Sequence, residues 1–237
     1  MADNREKLKK MAVEGAMDWI SSNYDLEEEQ KIGVGSGSTV SHVFRGLADY
    51  ENLTAVPASD STREGLVEHG VRVAELEDVS GDLIFDIDGA DEVDPNLNLI
   101  KGGGGCHYRE KMVANRSKDL LIVVDESKLV DYLGQKFPLP VEFLPSETEA
   151  VRKNLMDYGK PKLREEDGQP VETDNLNYIF DLELQSELDI DEMESWEEEL
   201  NKIEGVVENG FFVNRHADLV FVGTSEGVEI LERGEPT

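Results

Sequence analysis

Four short apolar runs, each closing on a polar turn, limit what this chain can fold into. They are "KIGVG" (31–35), "LTAVP" (53–57), "DLIFDID" (82–88) and "DLLIVVDESK" (119–128). Each is too short for a helix and apolar enough for a strand buried on both faces. Segments with helical spacing accompany them. Residues 5–21 carry Leu8, Met11, Ala12, Gly15, Ala16 and Trp19 on one face. A second helix is expected to begin near Ser38 or Thr39, and "STREGLVEHG" (61–70) reads as a third, closed by Gly70. "VRVAEL" (71–76) reads as a further strand. Strands alternating with helices in this way call for an α/β fold with a mostly parallel sheet covered on both faces. In such sheets ligands collect beyond the carboxyl ends of the strands. The polar segments 35–39, 59–63, 86–91 and 125–128 all fall there.

The pattern changes after "FPLPVEFLP" (137–145), where three prolines mark a break. A helix (147–158), a turn, the extended run "NYIFDLEL" (177–184) and a helix around 191–202 then suggest a smaller α+β domain. The expected division is a Rossmann-like domain over 1–135, completed by 206–237, with the small domain over 136–205. The acidic block between Asp181 and Glu204 is expected to cover the solvent face of the small domain.

Charge narrows the function classes. Aspartate and glutamate total 53 against 23 lysine and arginine, a net charge of −30 in 237 residues. An acidic shell of this kind resembles the cytoplasmic proteins of halophiles, with self-repulsion screened by salt. A nucleic-acid partner is not expected, because phosphate contacts need a basic footprint. No stretch approaches 18 apolar residues and the opening lacks an apolar h-region, so neither a membrane span nor secretion is expected. Cys106 is the single cysteine. It excludes an internal disulfide and suits a reducing cytosol.

Two segments carry chemistry. "GVGSGSTV" (33–40) joins a strand to a helix, where glycine permits close backbone approach and a helix start offers N–H groups to an anion. Ser36, Gly37, Ser38 and Thr39 therefore read as a phosphate cradle, or as a turn with a helix cap and no ligand. The loop lacks the ending of a P-loop. "SDSTREG" (59–65) is a similar turn, for which capping is the plainer role.

"DIDGADEVDPNLNLIKGGGGCHYREK" (86–111) admits three readings. A calcium loop fails, because the sixth residue from Asp86 is Asp91 and the twelfth is Leu97, where glycine and glutamate are required. A magnesium phosphatase can use the D-x-D pair, although its threonine after Gly89 is missing. An acid–base site uses the whole segment, with Glu110 as general base and Lys101 beside the developing oxyanion. Asp88 and Asp91 would then exchange protons with hydroxyls. The plain alternative for Glu110 is an ion pair on a helix surface.

Taken in order, "GSGST", "DGADEVD", "KGGGG…REK", "DESK", "KFPLPVEFLP", "TDNLN" and "GTSEGV" resemble ribose-5-phosphate isomerase of the A type over roughly residues 8 to 232. The resemblance implies a Rossmann-like domain with a ferredoxin-like second domain, and a cytoplasmic homodimer or homotetramer. It also implies metal-independent interconversion of ribose 5-phosphate and ribulose 5-phosphate, with no cofactor and a small sugar phosphate as partner. Carried over by position, Glu110 is the proton-shuttling base, and Asp88 serves ring opening and hydroxyl protons. Asp91 holds the sugar hydroxyls and Lys101 lies at the oxyanion. Lys128 joins Ser36–Thr39 on the phosphate, and Lys7 is carried over by position alone. The chain departs from the family at His107 and Tyr108, which enlarge the wall beside Glu110. It departs again at Leu176, where glycine is common and another backbone geometry is expected. A sugar-phosphate sensor on a related fold is the rival reading. It calls for an attached DNA-binding segment, for which the chain has neither the length nor the basic charge.

Overall fold

The computed structural model describes residues 2–233, which divide into two units. The first comprises residues 1–90, 109–128 and 217–237, and the second 91–108 and 129–216. These boundaries differ from the expected ones chiefly at 91–108. That segment joins the second unit because its backbone is paired there. Lys101 N donates to Gly210 O and Val130 N to Val93 O, and Leu99 and Ile100 pair with Phe212 and Phe211.

Elements are numbered along the whole chain. The first unit contains α1 (Ala2–Asn23), β1 (Gln30–Val34), α2 (Phe44–Leu47), β2 (Leu53–Pro57), α3 (Asp60–Glu68), β3 (Arg72–Val73) and β4 (Leu83–Asp88). It is completed by α4 (His107–Arg116), whose first two residues cluster with the second unit, and by β7 (Ser117–Asp125), β15 (Leu219–Thr224) and β16 (Gly227–Glu232). The sheet order is β16-β15-β7-β4-β1-β2-β3. All neighbours run parallel except the edge strand β16. Read from β3, this is the doubly wound order 3-2-1-4-5-6, whose direction reverses between β1 and β4.

Alternation along the strands decides what faces what. Ile32 and Val34 of β1, with Phe85 and Ile87 of β4, join Ala12, Val13, Ala16 and Ile20 of α1 in one core. The opposite face carries Gly33 of β1, and Gly35 just beyond it, beside Asp86 and Asp88 of β4, with Val113 of α4 packed over Gly33. Of the expected strand 71–76 only Arg72 and Val73 pair, with Thr54 and Ala55 of β2, before a 3₁₀ turn at Leu76–Asp78. The helix expected from Ser38 or Thr39 is a 3₁₀ turn at Val40–His42 followed by the four-residue α2.

The second unit contains β5 (Glu92–Val93), β6 (Leu99–Ile100), β8 (Leu139–Phe143), α5 (Thr148–Leu155) and β9 (Gly159–Leu163). A small hairpin of β10 (Glu165–Glu166) and β11 (Gln169–Pro170) leads to β12 (Tyr178–Leu184). Then come α6 (Ile190–Asn201), β13 (Val206–Asn209) and β14 (Phe211–Phe212). Its antiparallel sheet has the order β13-β8-β12-β9, which is the 4-1-3-2 arrangement of a βαββαβ ferredoxin-like fold. Val151 and Leu155 of α5 and Met193 and Leu200 of α6 pack on Val141, Phe143, Phe180 and Leu182. Asp189 and Glu192 form a capping box that starts α6 inside the acidic block. The block is not wholly solvent-facing. Glu197 is buried and accepts bonds from Val213 N at 3.1 Å and Asn214 N at 2.8 Å.

Candidate active site

In the first unit the chemistry gathers at the carboxyl edge, where the strand order reverses. Asp88 closes β4 and is fully buried. Its Oδ1 accepts Ser36 N at 3.1 Å and Gly89 N at 2.7 Å. These bonds hold the carboxylate against the loop that follows β1. Gly35 is required for this. A Cβ there would occupy the space of the Asp88 carboxyl group.

Glu110 reaches the same edge from α4. Val113 marks the level of Gly33 and Asp86, and a helix joining two parallel neighbours such as β4 and β7 has to run back against them. One turn earlier, three residues or about 4.5 Å along the helix, lies Glu110. Two residues further along β4, about 6.6 Å, lies Asp88. The register therefore sets both carboxylates at the carboxyl end of one sheet face. Glu110 is only 5% exposed, which excludes the reading as a surface ion pair.

The glycine–serine loop is braced from two sides. Ser59 caps α3 by accepting Thr62 N at 3.1 Å, in keeping with its position in the sequence, and its Oγ lies 3.0 Å from Ser36 Oγ. Thr62 Oγ1 donates to Gly35 O at 2.8 Å. From α1, Lys9 Nζ donates to Ser38 Oγ at 2.8 Å. Lys7 is exposed beside Asn4, Glu6 and Lys10. Lys9, not Lys7, is thus the amino-terminal lysine at the loop, a residue that reading by position missed. Gly37 has φ +106°, so the loop needs a glycine there. Lys128 ends the 3₁₀ turn after β7 and is half-buried, in a turn fixed by Ser127 N on Asp125 Oδ1 at 3.0 Å. Near Ser38, Glu6 Oε1 lies 2.6 Å from His42 Nε2, and this bond holds the Glu6 carboxyl below its ordinary value.

In the second unit Asp91 and Lys101 flank the glycine loop Gly102–Gly105. Asp91 Oδ2 accepts Gly103 N at 2.6 Å. Lys101 is 2% exposed, with Nζ 5.4 Å from the centre of the Phe212 ring. An ammonium that lies over an aromatic face keeps its charge at lower cost than in a purely aliphatic site. His107 is buried against Gly102, with Nε2 3.3 Å from Glu208 O, so its bulk is absorbed within this unit. Leu176 has φ +63°. The turn keeps the glycine-type geometry, contrary to the expected change, and the leucine carries the strain at an exposed position.

Two buried carboxylates, Asp88 and Glu110, with a serine- and glycine-rich loop at the switch point of a doubly wound sheet, are what the α/β enzyme class presents at that edge. Comparison with known proteins makes this specific. Residues 54–227 match the family model of ribose 5-phosphate isomerase A (phosphoriboisomerase A). Ribose-5-phosphate isomerase A of Pyrococcus abyssi is 42% identical over 240 residues, covering 97% of this chain and all of that one. A D-ribose-5-phosphate isomerase solved in complex with phospho-erythronic acid superposes with a TM-score of 0.89 at 39% identity, over 97% of this chain and 99% of that one. The Neisseria gonorrhoeae ribose 5-phosphate isomerase A gives 0.86 at 38% identity, over 98% of each chain. The chain belongs to the ribose 5-phosphate isomerase A family, isomerases that interconvert ribose 5-phosphate and ribulose 5-phosphate. Among the described residues no helix is long and apolar enough to cross a membrane.

Proposed function

We propose that this chain interconverts ribose 5-phosphate and ribulose 5-phosphate by proton transfer through a cis-enediolate, with Glu110 as the single base. Glu110 removes the C2 proton of the open-chain aldose and returns it at C1. One carboxylate serves both carbons because they are adjacent. Asp88 assists ring opening and carries the proton exchanged between O1 and O2. Asp91 holds the sugar hydroxyls, and Lys101 offsets charge on the enediolate oxygen. The phosphate is gripped by Ser36, Gly37, Ser38, Thr39 and Lys128, with Lys9 in the place that the family resemblance gives to Lys7. That grip supplies binding energy and orientation remote from the reacting carbons. Hydrogen moves within one molecule, so the reaction calls for no redox cofactor. We take the working form to be a cytoplasmic homodimer or homotetramer adapted to high salt.

The observation that carries the reading is the burial of Asp88 and Glu110 at the carboxyl end of one sheet face. The test is ketose formation from ribose 5-phosphate in molar potassium chloride after treatment with a chelator, with Glu110→Gln in parallel. Turnover by the native protein and a loss of about 10³-fold or more in the variant is the expected result. Equal rates would show that the base is another residue. Saturable binding without turnover would point to a sensor, and activity regained only with magnesium would point to phosphatase chemistry.

A further inference from the structure

Four consecutive glycines cannot hold one backbone conformation unaided, because each has more freedom to lose than any other residue. The loop Gly102–Gly105 is nevertheless tightly folded, with Gly105 N on Gly102 O at 3.0 Å and φ +103° at Gly102. Its restraint comes from a side chain some sixty residues away. Arg164 Nη1 donates to Gly102 O at 2.9 Å and to Gly103 O at 3.1 Å. The other edge of the guanidinium grips Asp181, through Nε on Oδ2 at 3.0 Å and Nη2 on Oδ1. This two-point pair is 15% and 23% exposed at its side chains. The arginine backbone is fixed as well, with Arg164 N on Ile179 O at 2.8 Å.

The peptide between Gly102 and Gly103 connects this clamp to the proposed chemistry. A trans peptide points its C=O and N–H in opposite directions. Its oxygen meets Arg164 and its N–H meets Asp91 Oδ2 at 2.6 Å. Asp181, Arg164, one peptide plane and Asp91 form a row of alternating charge in which each hydrogen bond polarises the next. Lys101 immediately precedes that peptide. We infer that Arg164, held by Asp181, is a positioning residue for the isomerisation. It sets the orientation of the Gly102–Gly103 peptide, and through it Asp91 and Lys101. This rests on the roles proposed above for those two residues.

The test is steady-state kinetics of the full chain in molar potassium chloride with Arg164→Ala, Arg164→Lys and Asp181→Asn, each with a thermal melt. Arg164→Ala is expected to lower kcat about 100-fold, the scale of a 1 Å misplacement, with KM changed less than about threefold. Guanidinium ion at tens of millimolar should restore at least about fivefold of the loss. Arg164→Lys should regain less than tenfold, because one ammonium lacks the planar fork that meets Asp181 and both carbonyls. A merely structural role would lower the melting temperature and leave kcat per folded molecule unchanged and insensitive to guanidinium. That result overturns the inference. If Arg164→Ala fails to fold, Asp181→Asn and Arg164→Lys decide. Native kcat in both overturns the proposal, and a loss of about tenfold at unchanged KM supports it. Native turnover, a silent Glu110→Gln and a fully active Arg164→Ala would remove this inference alone. Absence of native turnover would remove the reading of the site beneath it as well.

Discussion

Replacing Gly35 by alanine tests the site through a single methyl group. The Gly35 backbone does not lie at positive φ, so alanine meets no conformational penalty there. The effect is steric. The new Cβ would coincide with the space of Asp88 Cγ and both carboxylate oxygens. Carbon atoms settle about 3.5–4.0 Å apart, so the carboxylate has to retreat by more than about 1 Å. It would then leave Ser36 N, now 3.1 Å away, and Gly89 N, now 2.7 Å away. Hydrogen bonds to a charged group contribute about 1.5–3 kcal/mol each, and overpacking a filled site costs about 1–3 kcal/mol. With partial relaxation, the expected destabilisation is about 3 kcal/mol. A folded domain tolerates that, since stabilities run about 5–15 kcal/mol. On the role proposed for Asp88 the kinetic effect is larger in proportion, about 10²-fold in kcat/KM, because the carboxylate moves by the distance that removes orientation. The assay is ketose formation from ribose 5-phosphate in molar salt, paired with thermal denaturation. Gly81→Ala, which lies outside the proposed site, is the control, as its Cβ would meet nothing within 4 Å and only its φ of +79° is strained. Native kcat/KM and native melting in Gly35→Ala would refute both the packing argument and the role given to Asp88.

Lys9→Met should raise KM for ribose 5-phosphate about tenfold with little change in kcat, while exposed Lys7→Met stays within about twofold; the reverse order would restore Lys7 to the phosphate site. Leu176→Gly should raise the melting temperature by about 2–4 °C, by releasing about 1 kcal/mol of strain at φ +63° from a side chain that is 70% exposed. Burial, and then the 2.6 Å bond to Asp119, push the Tyr24 hydroxyl well above its ordinary value. The folded state therefore favours the neutral phenol. Its contribution is complete below the unfolded value near pH 10 and fades as pH rises beyond it. The alkaline fall in melting temperature should be shallower in Tyr24→Phe, and identical slopes would contradict the assignment. With a net charge of −30, the native protein should melt at least about 5 °C higher in molar potassium chloride than at 10 mM, where the Debye length is about 30 Å. An unchanged melt would mean that self-repulsion is not a major destabilising term.

What the sequence revealed and what it hid divide along a physical line. Strands β1, β2, β4 and β7 were legible because burial makes each a largely apolar run, and the turns after them marked the carboxyl edge of the sheet. Glu110 and Asp88 were legible as a pattern of residue types. Contacts made by pairing elements distant in sequence were not. Lys9 meets Ser38 only because α1 lies beside the loop across 29 residues, and the two neighbouring lysines have equal claims on composition alone. Arg164 gives no local signal, since its partners Gly102, Gly103 and Asp181 come together only when β9 pairs with β12 and the glycine loop folds beneath them. Glu197 looked like one more solvated acid in an acidic helix, and three donors from Val213 and Asn214 make it an internal bracket. The strained Leu176 shows that the bonds of its turn, Leu176 N to Thr173 O at 2.9 Å and Asn177 Nδ2 to Glu142 Oε1 at 2.9 Å, outweigh the preference of one side chain.

The density of chemical groups between residues 86 and 111 has a topological cause. The chain leaves the first unit after Ala90 and returns at Arg109, so residues 91–108 are an excursion into the second unit. Asp88 and Asp91 flank the exit, and Glu110 follows the return by one residue. Lys101 and the four glycines lie on the path between them. A fold that is crossed twice in so short a stretch presents groups from both units as one motif in sequence. The motif is therefore readable as a candidate active site from residue types and spacing alone. The same crossing explains why the motif needs glycine. Lys101 and Asp91 flank a loop that carries no side chains of its own, and the side-chain bonds that fix it come from Arg164 and from Asp91 itself. Side chains added to the loop would test this division. Gly103→Ala would put a Cβ 2.6 Å from Asp91 Oδ1, whereas a Cβ at Gly104 would meet nothing within 4 Å, so the two adjacent positions should differ sharply in their effect on kcat.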